Sequence, residues 1–281
     1  MASGPIDYEA EFDSTRTAPG FAEILAGWAP QAAAYRAAAR CELGLAYGPG
    51  ARNRLDLFLP EGDPAGAVAM FIHGGFWMSF DGSHFSHMAK GLVGNGIPVA
   101  VPTYSLCPEA TLGAIIDEMR AAVALLWHRF GLPVVVTGHS AGGHLAAALL
   151  ATDWPAFDPA LPPRLVPAAY AISGVFDLEP LLGTSVNDAL RLTADGARRW
   201  SPIHWPPPPG AMLDTVVGAD ETGEHRRQCR AMVEAWAAAG AATRYEEIPA
   251  CNHFDVIAPL ADPGSAMTGR ILALAAAARA A

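Results

Sequence analysis

The chemistry of this chain is concentrated first at Gly138-His139-Ser140-Ala141-Gly142. The β-branched run Val134-Val135-Val136-Thr137 precedes it and the Ala/Leu-rich run His144 to Leu150 follows. A short apolar strand, a glycine-flanked serine and a helix in that order place Ser140 on a strand-to-helix turn, the geometry of a nucleophile elbow. There the hydroxyl stands above the sheet edge, open to a base from one side and to a carbonyl from the other. Glycines at 138 and 142 let neighbouring backbones pass close to a residue held in a strained conformation. The same pattern also arises in connections whose serine only caps the next helix, so the reading depends on partners elsewhere in the chain.

Three further run ends offer them, and in parallel-sheet proteins ligands collect at such strand ends. His73-Gly74-Gly75-Phe76-Trp77 closes the apolar run Ala67 to His73. Backbone N–H groups at Gly75 and Phe76, together with that of Ala141, would form an oxyanion hole, where each donor is worth about 3 to 4 kcal/mol in the transition state. Ala219-Asp220-Glu221 follows the run ending at Gly218 and offers two carboxylates where a triad acid belongs. Asn252-His253-Phe254 follows the last strand-like segment. The order serine, acid, histidine is that of the α/β-hydrolases, and His253 in that order is the candidate general base.

These motifs identify the chain as resembling the kynurenine formamidase (arylformamidase) group of α/β-hydrolases, close to the hormone-sensitive-lipase-like esterases. The likeness covers nearly the whole length: Tyr47-Gly48 with Leu55 to Phe58, His73 to Trp77, Tyr104 to Pro108, Gly138 to Leu145, Ser173 to Leu178 with Ser201-Pro202, Glu221 with Arg227-Gln228, and Asn252 to Phe254. By position the resemblance implies Ser140 as nucleophile, His253 as base and Glu221 as acid. An aspartate is common at the acid position in animal members, and here Asp220 stands beside the glutamate. Phe76 occupies a position where a tyrosine is often found.

The implied activity is hydrolysis of an N-formyl arylamide such as N-formylkynurenine through an acyl-enzyme, with a carboxylesterase acting on short acyl or aryl esters as the alternative. Phe76, Trp77 and Phe176 are candidates to line an aryl pocket, Trp77 and Phe176 as substrate-binding residues, although aromatic side chains also fill cores. A non-catalytic binding protein on the same fold is a third reading, disfavoured because a complete triad is available.

The elements that must position these groups alternate. Segments 43–48 and 53–59, joined by Gly48-Pro49-Gly50, read as an antiparallel hairpin at a sheet edge. Apolar runs at 67–73, 98–104, 134–137, 168–173, 212–218 and 243–248 alternate with helical patterns at 83–94, 111–130, 141–150, 224–239 and 266–280. This predicts an α/β-hydrolase fold, a mostly parallel central sheet with helices on both faces. Residues 19–40 form an N-terminal helix that either lies over the site as part of a lid or docks outside the core. The broken pattern from 174 to 202 is expected to be a small helical cap that roofs the site. One α/β-hydrolase domain is expected over 1–281.

Composition narrows the function classes. Of 281 residues, 52% are hydrophobic and 16% charged, which supports a large core and excludes disorder. A net charge of −10 disfavours nucleic acid and anionic lipid. The acidic start, Met1 to Asp13, lacks the apolar centre of a secretory signal, and no stretch is apolar for long enough to span a bilayer. Cys41, Cys107, Cys229 and Cys251 lack paired spacing, so a reduced, cytoplasmic protein with no metal and no cofactor is expected. Its partner is expected to be a small-molecule amide or ester, with at most a second copy of the chain in a homodimer. His84 and His87 have metal-compatible spacing but read as helix surface, His139 and His144 as packing residues and His73 as a support for the oxyanion turn. His128, His204 and His225 carry no chemical signal.

Overall fold

The computed structural model describes residues 6–280, so the first five residues of the acidic start lie outside the described residues. Its frame is an eight-stranded sheet. The strands are β1 (Cys41–Ala46), β2 (Arg54–Phe58), β3 (Val68–Ile72), β4 (Val99–Thr103), β5 (Val134–His139), β6 (Ala168–Ile172), β7 (Met212–Gly218) and β8 (Ala242–Ile248). They lie in the order β1-β2-β4-β3-β5-β6-β7-β8. β2 runs antiparallel to β1 and β4, and every pairing from β4 through β8 is parallel. The carboxyl ends of β3, β5, β7 and β8 therefore share one edge, which is how motifs far apart in sequence come together.

Strand period fixes the two faces. Val68, Met70 and Ile72 of β3 belong to one apolar cluster, and Ala69 and Phe71 between them belong to the other. Both sets are buried, as expected of parallel strands covered on each side. On the first face lie α4 (Leu112–Phe130), α5 (Ala141–Leu150) and α9 (Gly223–Ala238), contributing Ile115, Leu145 and Trp236. The second face is covered by α2 (Phe21–Ala38) and α10 (Ala266–Ala280), contributing Trp28 and Ile271. Shorter helices are α1 (Tyr8–Phe12), α3 (Lys90–Val93), α6 (Trp154–Phe157), α7 (Asn187–Leu190) and α8 (Ala194–Arg199).

The expected helix over 83–94 is divided into a 3₁₀ segment, Gly82–Ala89, and α3. Asp81 caps the segment by accepting from the Ser83 N–H at 2.8 Å. Gly82 passes so close to β4 that a Cβ there would sit 2.8 Å from the Pro102 carbonyl oxygen. That approach favours the narrower 3₁₀ coil. α6 and α8 were not indicated by periodicity because each is a turn or two long; Asp153 and Thr193 cap them. Among the described residues no helix is long and apolar enough to cross a membrane.

Candidate active site

Ser140 joins β5 to α5 with φ 56° and ψ −119°, outside the regions that non-glycine residues favour. Such a conformation costs about 1 to 3 kcal/mol and persists only where its surroundings over-determine it. Here they do. A Cβ at Gly138 would lie 2.1 Å from the Gly142 carbonyl oxygen, and one at Gly142 would lie 2.0 Å from that of Ile72. The Ser140 N–H donates to the Ile172 carbonyl at 2.8 Å, and its own carbonyl accepts from Gly143 N–H at 2.8 Å. The turn is thus clamped between β3 and β6, and the buried side chain lines a cavity.

His253 and Glu221 approach that cavity from the ends of β8 and β7. The His253 Nδ1–H donates to Glu221 Oε2 at 2.6 Å. The other carboxylate oxygen accepts from Ser173 Oγ at 2.5 Å and from the Gly218 N–H at 2.7 Å. Asp220 is exposed, and its backbone N–H bonds the Cys251 carbonyl at 3.0 Å. Of the two candidate carboxylates, the contact to the imidazole is therefore made by Glu221. A Cβ at Gly218 would stand 2.2 Å from the Cys251 carbonyl oxygen, so the histidine loop lies directly on the end of β7.

With Nδ1 committed to the carboxylate, Nε2 of His253 holds the lone pair, the tautomer a general base needs. His253 and Ser140 line the same cavity. His139 Nε2–H donates to the His253 carbonyl at 2.8 Å, so the residue before the serine fixes the backbone of the histidine. Burial disfavours the imidazolium and pulls the pKa of His253 well below its ordinary value.

The glycine turn after β3 is equally constrained. Gly75, Phe76 and Trp77 have φ of 107°, 48° and 56°. A Cβ at Gly74 would lie 2.9 Å from the His139 carbonyl oxygen and 3.0 Å from the Ser140 Cβ. His73 is stacked on Tyr104 with centroids 4.3 Å apart, and its Nδ1–H donates to the Gly74 carbonyl at 2.8 Å. The Tyr104 hydroxyl donates to the His73 carbonyl at 2.9 Å. The backbone N–H groups of Gly75, Phe76 and Ala141 have no hydrogen-bond partner among the described residues. That of Ala141 is open because it is the first residue of α5.

The cavity has a volume of about 260 Å³ and is lined by aromatic groups, Phe12, Trp28, Phe76, Phe80, Phe85 and Phe254, beside Ser140, His139 and His253. Two expected pocket residues are absent from it. Trp77 is fully buried in the core with its ring edge-on to His144 at 5.0 Å. Phe176 is fully buried under Gly174, where a Cβ would come within 2.3 Å of its Cζ.

The expected roof also changes. None of the residues 174–202 lines the cavity; residues 12–15 and Trp28 cover it instead. The insertion supports this leader, since Ser185 donates to Glu9 through both its backbone N–H and its hydroxyl.

Other histidines sort differently from their sequence reading. His84 contacts Asp81 at 3.2 Å, whereas His87 is buried rather than on a helix surface. His144 Nε2–H donates to the Trp200 carbonyl at 2.7 Å, a packing role that ties α5 to the insertion. His225, which carried no signal, is buried with its ring centroid 4.5 Å from that of His253. Its position four residues beyond Glu221, at the start of α9, was the available clue.

This sheet order, with a serine on the turn after β5, a glutamate after β7 and a histidine after β8, defines an α/β-hydrolase. The BD-FAE family model matches residues 55–161. The chain is 29% identical to the kynurenine formamidase of Danio rerio over 234 residues, 80% of this chain and 79% of that one. A Silicibacter crystal structure provisionally described as a thioesterase superposes with a TM-score of 0.85 at 36% identity, covering 95% of this chain and all of the other. A hormone-sensitive lipase from a metagenome library shares the fold, with a TM-score of 0.69 at 17% identity over 99% of each chain. The chain belongs to the α/β-hydrolase group that holds the kynurenine formamidases and the hormone-sensitive-lipase-like esterases.

Proposed function

We propose that the protein is a serine hydrolase that removes the formyl group from an N-formyl arylamine of the N-formylkynurenine type. The observation that carries this reading is the small aromatic cavity into which Ser140 and His253 both open. A cavity of about 260 Å³ walled by aromatic rings suits a flat aryl group carrying a small acyl group. The kynurenine formamidases aligned over most of the chain support the same chemistry.

His253 Nε2 takes the Ser140 proton as the oxygen attacks the formyl carbon. The N–H groups of Gly75, Phe76 and Ala141 hold the oxyanion. His253 then gives the proton to the arylamine nitrogen, the C–N bond breaks, and formyl-Ser140 remains. Water, deprotonated by His253, attacks this ester and releases formate. Glu221 keeps the imidazole in the required tautomer throughout.

A second reading, hydrolysis of short acyl or aryl esters, is favoured by one feature: among the described residues no lysine or arginine lines the cavity to receive an α-carboxylate. Turnover of N-formylkynurenine compared with p-nitrophenyl acetate and butyrate decides between them. The formamide is expected to give the higher kcat/KM. An untouched formamide alongside rapid ester turnover overturns the first reading in favour of the second. Failure of folded protein to label at Ser140 with a fluorophosphonate overturns both and leaves a binding protein. The unpaired state of all four cysteines supports a reducing, cytoplasmic setting.

A further inference from the structure

His225 is not used by the reaction above, yet it lies against the group that is. Its Nδ1 is 2.9 Å from Thr222 Oγ1, and that hydroxyl donates its single proton to the Glu11 carbonyl at 2.6 Å. The remaining bond must therefore run the other way, from His225 Nδ1–H to Thr222 Oγ1. This fixes the tautomer and leaves a bare lone pair on His225 Nε2, an atom buried without a partner among the described residues. A buried acceptor that nothing satisfies calls for an explanation.

One presents itself in the surroundings. Glu221, His225 and His253 each offer a ligand atom within 4.8 Å of the other two, and all three residues are buried. Two imidazoles and a carboxylate are a zinc-type ligand set. Bonds of about 2.0 to 2.2 Å in tetrahedral geometry put neighbouring donors about 3.4 Å apart, within reach of small side-chain rotations. The outer contacts that orient metal ligands are already in place. Thr222 holds His225, while Ser173 and Gly218 hold the far oxygen of Glu221. Of the three, His253 lines the cavity, which puts the cluster directly behind its wall.

We propose that Glu221, His225 and His253 form an inhibitory divalent-cation site, selective for ions of the zinc type, that switches the hydrolase off when filled. The ion binds His253 through Nδ1. The single ring proton of the neutral imidazole then moves from Nδ1 to Nε2, with no net release. Nε2 becomes a donor and can no longer accept the Ser140 proton. The carboxylate of Glu221 changes partner from the imidazole N–H to the cation, and His225 Nε2 completes the protein ligands with its unused lone pair. The effect on activity rests on His253 being the base of the proposed reaction; occupancy of the site does not.

The test is a Zn²⁺ titration of the full chain, read by fluorophosphonate labelling of Ser140 and, separately, by calorimetry. Labelling is expected to slow at micromolar Zn²⁺ and to recover with EDTA, with one ion bound per chain. His225→Phe and His225→Gln are each expected to weaken Zn²⁺ binding by about tenfold or more. Calorimetry reads this loss even in a variant that labels slowly. Indifference of the wild type to Zn²⁺, or equal affinity in the wild type and a folded His225 variant, overturns the proposal. Binding of one ion through His225 without slowing of the label overturns the inhibitory role, whereas a wild type that fails to label even without Zn²⁺ overturns the proposed reaction instead.

Discussion

Glu221, buried behind the His253 wall of the cavity, has both carboxylate oxygens committed, to His253 on one side and to Ser173 and Gly218 on the other. Asp13, at the roof, is exposed and uses one oxygen to cap its own turn, accepting from Thr15 N–H at 3.1 Å and Thr15 Oγ at 2.6 Å. The same contrast holds for the neighbours of each. Floor residues stand at strand ends whose register the parallel sheet imposes, with close-passing glycines that forbid slack. Roof residues belong to a leader that adds no strand and is held by side-chain bonds and aromatic contacts. The division suggests that the floor sets the chemistry and the roof sets which molecule receives it.

The strongest way to break this division is Ser140→Ala. It is expected to lower kcat by about 10⁵-fold or more while leaving the fold intact, since the new residue removes only a hydroxyl. Substrate affinity should persist because the roof is untouched. A variant that keeps a substantial fraction of wild-type kcat under single-turnover conditions would remove the serine from the mechanism. Glu221→Gln follows, at about 10⁴-fold, because the amide can donate to Nδ1 and favour the wrong tautomer. Asp220→Asn should stay within about twofold, as expected of an exposed side chain away from functional contacts. If the order of these two losses were reversed, the contact between Glu221 and His253 would not be the productive one.

Acid sharpens the comparison next. His73, His139, His144, His225 and His253 are all buried, and burial lowers the pKa of each. Between those lowered values and the ordinary 6.5 of an unfolded chain, the unfolded state binds more protons. Stability is therefore whole above pH 6.5 and is lost as pH falls below it, by up to about 1.4 kcal/mol per histidine for each pH unit. The urea midpoint should drop clearly between pH 7.5 and 5.5. The acid limb of kcat/KM, where the protein is still folded, should lie below 6.5, because His253 stays neutral there. An acid limb at or above 6.5 would mean that the Glu221 carboxylate beside Nδ1 outweighs the burial of the imidazole.

At the roof, Trp28→Ala or Phe12→Ala should act mainly on KM. Each removes an aromatic wall of the cavity, and loss of apolar contact of this kind is worth about 1 to 3 kcal/mol, or 10- to 200-fold. An effect on kcat as large as that on KM would place the leader in the chemistry as well.

How much of this could be read beforehand follows the same line. The floor was legible because its signals are local: apolar runs mark strands, and glycines mark the turns that carry Ser140 and the proposed oxyanion donors. The residue pattern alone offers two adjacent carboxylates, of which the resemblance points to Glu221; the course of the chain after Gly218, with the Asp220 N–H drawn to Cys251, turns Glu221 inward. Trp77 was misplaced because consecutive residues of a tight turn face opposite ways, Phe76 toward the cavity and Trp77 into the core. Phe176 fills space left by the missing side chain of Gly174, a fit that periodicity does not encode. The roof was expected from residues 174–202 because a broken pattern resembles a cap; of the two places open to the 19–40 helix, lid or outer face, its Trp28 takes the first, together with residues 12–15, a tertiary placement that periodicity does not decide. His225 went unnoticed because its meaning depends on where His253 lands.

The smallest effect probes what holds the leader in place. Glu9 reaches Ser185 of the insertion with both carboxylate oxygens, and Glu11 accepts from the Glu224 N–H at 2.8 Å. The Glu9 contact is solvent-exposed, so its loss should cost about 1 kcal/mol or less. Glu9→Ala is accordingly expected to raise KM by no more than about fivefold, with kcat unchanged within error. If the insertion instead formed the roof itself, loosening this tether would leave KM where it was, while Val186→Ala, at a partly buried insertion side chain packed against the core, would move it. The two variants measured together thus test whether the insertion acts on substrate directly or only by holding the leader over the cavity.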